Sequence, residues 1–248
     1  MDLGIKNKVA FITGASSGIG LATAELFAKE GAKVIICGRN EENLKKAKDE
    51  IKKSTGHEVD FFSCDTSKFD QVEKVVSKIV EKYKKIDILI NNAGIYGPKG
   101  KFEDLPWKDI KETFNINLLG SIYLIKCVIP HFKKFNKGKI IQLSGGGAAS
   151  PLPFFSAYAT SKAGILRFTE NISEEEKNLL IRNNISIIFQ NNNLLSDFTA
   201  LENVAVPLII RGNSYNNSTK NAAKILSKVN LGNRLDHFPS NLSGGEQQ

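Results

Sequence analysis

Tyr158 and Lys162 stand four residues apart in YATSK (158–162), the spacing that places two side chains on one helix face. A phenol beside an ammonium suits acid–base chemistry, because the positive charge favours phenolate and lowers the tyrosine pKa. Such a group can give a proton to a carbonyl oxygen or take one from an alcohol. The competing reading is an incidental exposed Tyr/Lys pair. A second stretch, TGASSGIG (13–20), puts Gly14, Gly18 and Gly20 between an apolar run and a helical pattern. Glycine permits a tight turn and lets the backbone approach a pyrophosphate, whose charge a helix N-terminus favours. Taken alone, glycines after a strand are equally a structural turn.

These stretches sit within a regular alternation. KVAFITG (8–14), KVIICGR (33–39), VDFFSCD (59–65), IDILINNAG (86–94) and GKIIQLSGG (138–146) read as buried strands. Between them lie helical patterns at residues 19–30, in EENLKKAKDEIKK (41–53), in FDQVEKVVSKIVEKY (69–83) and at about 107–132; a further helix covers 157–171. Strands alternating with helices imply an α/β fold, a parallel sheet covered on both faces with right-handed crossovers. Ligands of such sheets bind beyond the carboxyl ends of the strands, at the switch in strand order.

Composition narrows the classes. The net charge is +8, yet residues 171–248 carry seven basic and seven acidic side chains, so the excess belongs to residues 1–170. There lysines alternate with acids, which reads as solvated helix faces and argues against a nucleic-acid partner. Three cysteines and three histidines at scattered positions give neither a disulfide framework nor a metal site. Buried free thiols are expected. No apolar run approaches the ~20 residues of a membrane-spanning helix, and the N-terminus reaches its glycine turn too early for a signal peptide. No membrane insertion and a cytoplasmic location are the expectations.

TGASSGIG, then NNAG at 91–94, then YATSK occur in order and at the expected places for the TGxxxGxG, NNAG and YxxxK patterns of the short-chain dehydrogenase/reductase family. Residues 5–175 or so resemble that family. The resemblance implies a Rossmann-like doubly wound sheet and hydride transfer between NAD or NADP and a small carbonyl or alcohol. It makes Tyr158 the acid/base, Lys162 a binder of the nicotinamide ribose and Asn117 a support of a proton relay. The family's substrate-orienting serine usually stands thirteen residues before the tyrosine, where this chain has Gly145; Ser144 is the candidate, with Ser150 the lesser alternative. The cofactor residues implied are Gly14, Ser16, Ser17, Gly18, Ile19 and Gly20 of the turn. Asp65 and Thr66 follow at the third strand, Asn92, Ala93 and Gly94 at the fourth, with Tyr158 and Lys162 themselves. Arg39 replaces the acid by which NAD enzymes of the family hold ribose hydroxyls, and its planar fork suits a 2′-phosphate. NADP is therefore the expected cofactor, with NAD the second choice.

Beyond residue 171 the pattern changes owner. Asparagine occurs 8 times in residues 1–170 and 15 times in residues 171–248. No proline–glycine turn follows the strand-like ISIIF (185–189). FQNNNLLSDFTALENVAVPL (189–208) resembles the Q-loop and following helix of an ABC transporter ATPase. NRLDHFPSNLSGGEQQ (233–248) is similar to the approach to its signature motif, most nearly that of the lipoprotein-releasing transporter. The division expected is a truncated dinucleotide-binding domain over 1–175 and an ABC ATPase helical-subdomain-like fragment over 176–248, with a seam between Asn171 and Asn184. Recombination, an assembly artefact or deliberate fusion would each give this order. Because G-x-x-x-x-G-K-[ST] is absent and the chain stops before any Walker B carboxylate, no ATPase activity is expected of it alone.

Three functions stay open at this level: an oxidoreductase with a foreign C-terminus, a cofactor-binding module without turnover, and a transporter nucleotide-binding fragment. ISIIF is expected to dock in parallel as the lost sixth strand. Helices are expected over 199–212, bent at Pro207, and over 218–231, capped by Ser218. Their apolar faces must cover the dehydrogenase cleft, pair between chains as a homo-oligomer, or stay loosely held. SGGEQQ (243–248) is expected to be mobile.

Overall fold

Valine, isoleucine and phenylalanine fill the strands because a parallel sheet covered on both faces has no solvent-facing side. β1 (Val9–Thr13) and β4 (Ile88–Asn91) are buried at every position, and β2 (Lys33–Gly38) at its four central ones. With β3 (Asp60–Ser63), β5 (Lys139–Leu143) and β6 (Ile185–Ile188) they form one sheet in the order β3-β2-β1-β4-β5-β6. Every pairing is parallel. The order reverses between β1 and β4, so the crevice beyond their carboxyl ends is the switch point. The computed structural model describes residues 3–175, 185–188, 194–210 and 212–247. Its contacts divide the chain into two compact units, Asp2–Gln190 and Asn191–Gln248.

Side-chain alternation gives the first unit two cores, one on each face. Phe11, Ile35 and Leu89 point to one side, where Val72, Val76 and Ile79 meet Leu124, Val128 and Phe132. Ala10, Ile12, Val34, Ile36, Ile88 and Ile90 point to the other, against Ala24, Ala28, Leu44 and Ile51. Helices α1 (Gly18–Lys29) and α2 (Glu41–Thr55) supply the second face, and α3 (Phe69–Tyr83) the first. Helix boundaries follow local chemistry. In α2, Asn40 caps the start by accepting from Asn43 N–H at 2.9 Å, Glu41 and Glu42 meet the positive end, and Gly56 closes it at φ +74°.

The helix expected over 107–132 is longer and broken in type. It runs as α4 (Trp107–Phe114), a π-helical segment (Asn115–Leu119) and α5 (Gly120–Phe135). Over its 29 residues it is long and apolar enough to cross a membrane by length and composition, with mean hydropathy 1.3 in its best window. Its apolar side packs on the sheet through Leu124, Ile125, Val128 and Phe132. Helix α6 (Ser156–Glu175) carries the YATSK stretch.

The expected sixth strand forms over Ile185–Ile188, with Ile140 opposite Ile185 and Leu143 opposite Ile188. Phe189 lies outside the described residues, as do the rest of the Q-loop-like FQNNN (189–193) and residues 176–184, where most of the expected seam falls. Cys37 and Cys64 are buried free thiols, and Cys127 is a half-buried one.

The second unit is a small helical body. Helices α7 (Ala200–Ile210) and α8 (Tyr215–Lys228) meet Leu242, just before α9 (Gly244–Gln247), in a cluster of Ala200, Leu226 and Leu242. Helix α7 runs through Pro207. The expected cap of the second helix is corrected. Ser214, not Ser218, accepts from Asn217 N–H, which starts α8 three residues sooner; Ser218 is buried inside the helix. Two reciprocal capping boxes define the other starts. Thr199 and Glu202 exchange backbone bonds of 2.8 and 3.3 Å, and Ser243 and Glu246 do so at 2.8 and 3.4 Å. Residues 243–247 form a capped, hydrogen-bonded turn. Glu246 also pairs with Arg234 at 3.1 Å. The Ser243 backbone N–H, then the Ser243 hydroxyl and Arg234, hold its carboxyl down to about 2.

Candidate active site

Thr13 ends β1 with its hydroxyl fully buried, and that hydroxyl organises the switch point. It accepts from the backbone N–H groups of Asn92 (3.1 Å) and Ala93 (3.0 Å) and donates to Ile90 O at 3.4 Å. The Asn92 amide donates back to Thr13 O at 2.8 Å and Gly14 O at 3.0 Å. The glycine turn and the NNAG segment are thereby stitched together. Close approach explains two glycines. A Cβ at Gly14 would lie 2.8 Å from Ala93 Cα, and one at Gly20 would lie 2.5 Å from both Gly14 O and the Asn92 amide nitrogen. Gly14 and Gly18 also hold φ of +62° and +58°, conformations that favour glycine.

A cavity of about 240 Å³ opens above this junction. Of the residues expected around a cofactor, it brings together Gly14, Ser16, Ser17, Arg39, Asp65, Thr66, Ala93 and Gly94. Gly18, Ile19, Gly20, Asn92, Tyr158 and Lys162 are not in its lining. Gly20 and Asn92 serve the turn instead, and Ile19 is exposed on α1. Four further lining residues were not singled out: Gly38, Cys64, Ile95 and Ile116. Gly38 and Cys64 each immediately precede a residue that was, so the carboxyl-end rule applied to every strand would have found them.

The chemistry of this cavity favours an anion. Helix α1 begins beside it at Ser17, with no acid in its first turn and no side chain capping its N–H groups. Arg39 stands opposite, with its guanidinium 3.4 Å from Glu112 in an ion pair exposed on both sides. Such a pair is weak and gives way readily to a stronger acceptor. Asp65 is shaped by Ser67, whose backbone N–H and hydroxyl donate to it at 3.0 and 2.7 Å. Glycine cradle, helix N-terminus and basic fork together fit a dinucleotide.

The π-helical turn aims Asn117 inward. Its amide brackets Ile95, accepting from the backbone N–H and donating to the C=O, both at 2.8 Å. It also donates to Ser161 Oγ at 3.0 Å, and Ser161 donates to Tyr158 O at 2.7 Å. This ties the β4–α4 loop to α6. Tyr158 and Lys162, one helical turn apart, are both buried. Lys162 Nζ donates to Leu143 O at 3.1 Å and lies 5.9 Å from the Tyr158 ring centroid. A Cβ on Gly94 would sit 3.2 Å from Asn117 Oδ1 and 3.4 Å from Lys162 Nζ, so glycine keeps these groups close to the cavity.

Two expectations are corrected here. Burial, followed by neighbouring Tyr96, raises the Tyr158 pKa instead of the ammonium lowering it. Lys162 points its proton at the Leu143 carbonyl, and burial lowers its own pKa to about 8. The second concerns the serine. A Cβ on Gly145 would overlap the Tyr158 hydroxyl, so it is position 145 that faces the phenol. Ser144 Oγ is enclosed, without a hydrogen-bond partner among the described residues, and Ser150 is exposed.

Comparison with known proteins bears on the fold and the family. The family model described as short chain dehydrogenase matches residues 8–187. A second, described as ABC transporter, matches residues 132–248 and so overlaps the first. Among curated relatives, a fatty acyl-CoA reductase of Acinetobacter baylyi is 34% identical over 74% of this chain. The chain spans 61% of that enzyme's length. Among solved structures, an NAD+-bound xylitol dehydrogenase has 31% identity and TM-score 0.69, covering 75% of this chain and 69% of its own. A metagenomic short-chain oxidoreductase in complex with NADP has 27% identity and TM-score 0.71, covering 75% and 83%.

Burial of Lys162 should leave a pH signature. Its pKa is 10.5 in an open chain and about 8 here, so between those values the unfolded chain holds the extra proton. Stability contributed by this group therefore rises with pH across that window. Relative to a Lys162→Met variant, the parent should gain about 2 kcal/mol between pH 8 and about pH 10. Urea denaturation of both chains reads the difference; a constant difference would show that the amine is not buried.

Proposed function

Because the chain belongs to the short chain dehydrogenase family, we propose that its first unit is an NADP-preferring oxidoreductase acting on a small carbonyl or alcohol. The observation that carries this is the pair Tyr158 and Lys162, buried one turn apart on α6, with the Lys162 ammonium next to Gly94 of the glycine-lined cavity at the sheet's switch point. A bound nicotinamide dinucleotide would supply or accept the hydride. Tyr158 does the acid–base work. Its raised pKa keeps the phenol protonated at neutral pH, the form that donates to a carbonyl oxygen in reduction. Lys162, whose ammonium donates to the Leu143 carbonyl, would hold the ribose of a bound cofactor. Asn117 fixes the Ile95 backbone and the start of a proton path. Ser144 orients the substrate oxygen only through a one-residue shift of its glycine loop.

The preference for NADP rests on Arg39, which lines the cavity and is held only by an exposed, weak ion pair with Glu112. NADPH should bind more tightly than NADH, and Arg39→Asp should reduce that preference on the order of tenfold, equivalent to about 1.4 kcal/mol. Fluorescence titration with both nucleotides measures this. Equal affinities for the parent chain would remove the assignment.

Replacing Tyr158 by Phe tests the chemistry. The ring is retained and the proton donor lost, so carbonyl reduction should fall at least about a hundredfold while cofactor affinity changes little. Unchanged turnover would place the chemistry elsewhere.

A second reading concerns residues 191–248 and is favoured by the ABC transporter match. We infer that this unit is a fragment of an ABC ATPase helical subdomain of the lipoprotein-releasing type, joined to a dehydrogenase-like first unit. Ser243 and Glu246 of its signature-like stretch cap their own helical turn. With no Walker A lysine in the chain, phosphoryl transfer has no charge clamp. Phosphate release should stay at background, and titration with MgATP should give no saturable heat. A sub-millimolar MgATP site would reverse this reading.

A further inference from the structure

Among the residues lining the cavity at the switch point, Arg39 is the one base and Asp65 the one acid. Whatever engages Arg39 therefore sets much of the charge that an entering ligand meets. Glu112 engages it. Arg39 Nη1 donates to Glu112 Oε1 at 3.4 Å, across 73 residues of chain. Both backbones are held: the Ser63 hydroxyl donates to Arg39 O at 3.2 Å, and buried Ile110 and Thr113 anchor α4. Ile116, four residues after Glu112, lines the cavity, so the helical run that carries Glu112 borders the site. Only the two side chains are left to move, and they are 59% and 46% exposed.

The contact is loose. Charge-assisted N–H to carboxylate bonds run at about 2.7–2.9 Å, and this one is longer and open to water. A phosphate monoester, carrying about 1.5 to 2 negative charges, offers the guanidinium a stronger, two-pronged partner. Taking it requires Arg39 to leave Glu112, and the carboxylate then stands unpaired near a like charge. A ribose hydroxyl is neutral and demands no such exchange. An opposing effect exists, because a partner can hold an arginine ready for its ligand. At this exposure the restraint is slight. Competition outweighs it.

We propose that Glu112 is a positioning residue for Arg39 that tunes cofactor choice: it competes with the 2′-phosphate of NADP for the guanidinium and so narrows the preference over NAD. The assignment rests on the NADP-preferring oxidoreductase reading above. Arg39 supplies the attraction and Glu112 limits it. Discrimination is then set by two elements, the end of β2 and the exposed face of α4. Contact matters here rather than the mere presence of an acid. A carboxylate one methylene further back keeps its charge and loses its hold on Nη1. Release of an exposed pair of this kind changes affinity by about two- to fivefold.

Isothermal titration with NADP+ and with NAD+, at one ionic strength, compares the parent chain with Glu112→Gln, Glu112→Asp, Arg39→Gln and the double variant Arg39→Gln/Glu112→Gln. Both Glu112 variants should bind NADP+ about two- to fivefold more tightly than the parent, with NAD+ unchanged. On the Arg39→Gln background, Glu112→Gln should change neither affinity. The assignment is overturned by NADP+ affinity that stays level or weakens in Glu112→Gln. A gain in Glu112→Gln that Glu112→Asp lacks, or one that persists without Arg39, overturns it equally. A parent with equal affinities for the two nucleotides, joined to an NADP+ gain in both Glu112 variants, would keep it and remove the NADP preference. A parent that prefers NADP+ to an extent neither Glu112 variant alters would do the reverse.

Discussion

The hydroxyl of Thr13 is the point on which the rest of the site depends. Buried at the end of β1, it accepts two N–H groups of the NNAG segment and donates to a β4 carbonyl. All its hydrogen-bonding capacity is thereby used inside the sheet. Around it, the glycine turn and the β4 end are drawn so close that Gly14 and Gly20 have no space for a side chain. This close approach opens the cavity on its outer side and starts α1 pointing into it. Without that junction the helix N-terminus, Arg39 and Asp65 would be separate surface features.

A second junction governs the acid–base pair. Asn117 sits where the long helix changes to π geometry, and its amide joins Ile95 to Ser161 and hence to α6. The extra residue in the π turn lets one side chain reach two elements at once. The same clamp that holds α6 in place also fixes the loop bearing Tyr96. Helix α6 and the loop after β4 are therefore set by one amide. Burial then decides protonation: it raises Tyr158 and lowers Lys162, so the pair rests as a neutral phenol beside a readily deprotonated amine.

The join between the two likenesses shows how permissive a parallel sheet is. Residues 185–187 lie within both family matches, and the strand Ile185–Ile188 pairs with β5 in regular parallel register. A short β-branched run meets the requirements of an added edge strand whatever its origin, because the ladder is made by the backbone. The second unit is ordered by its own devices, two capping boxes and a small leucine-rich core.

Much was legible in the sequence because it depends on local periodicity. The alternation of apolar runs with amphipathic stretches determined the six strands and their helices, and the turn residues determined where ligands gather. Thr199-x-x-Glu202 and Ser243-x-x-Glu246 were equally open to reading as helix starts, since capping boxes are local. What lay beyond reach were contacts between distant segments. The spacing of Tyr158 and Lys162 put them on one helix face, but not the Leu143 carbonyl that takes the ammonium. The count of thirteen residues led to Gly145, whereas only the packed loop shows that its missing Cβ is where the phenol lies. Tyr96 carried no signal at all, being one tyrosine after NNAG. Its ring meets that of Tyr158, 62 residues further along the chain, with the centroids 5.0 Å apart in the fold. Periodicity is written along the chain, while burial and the partners of a polar group exist only after it has folded.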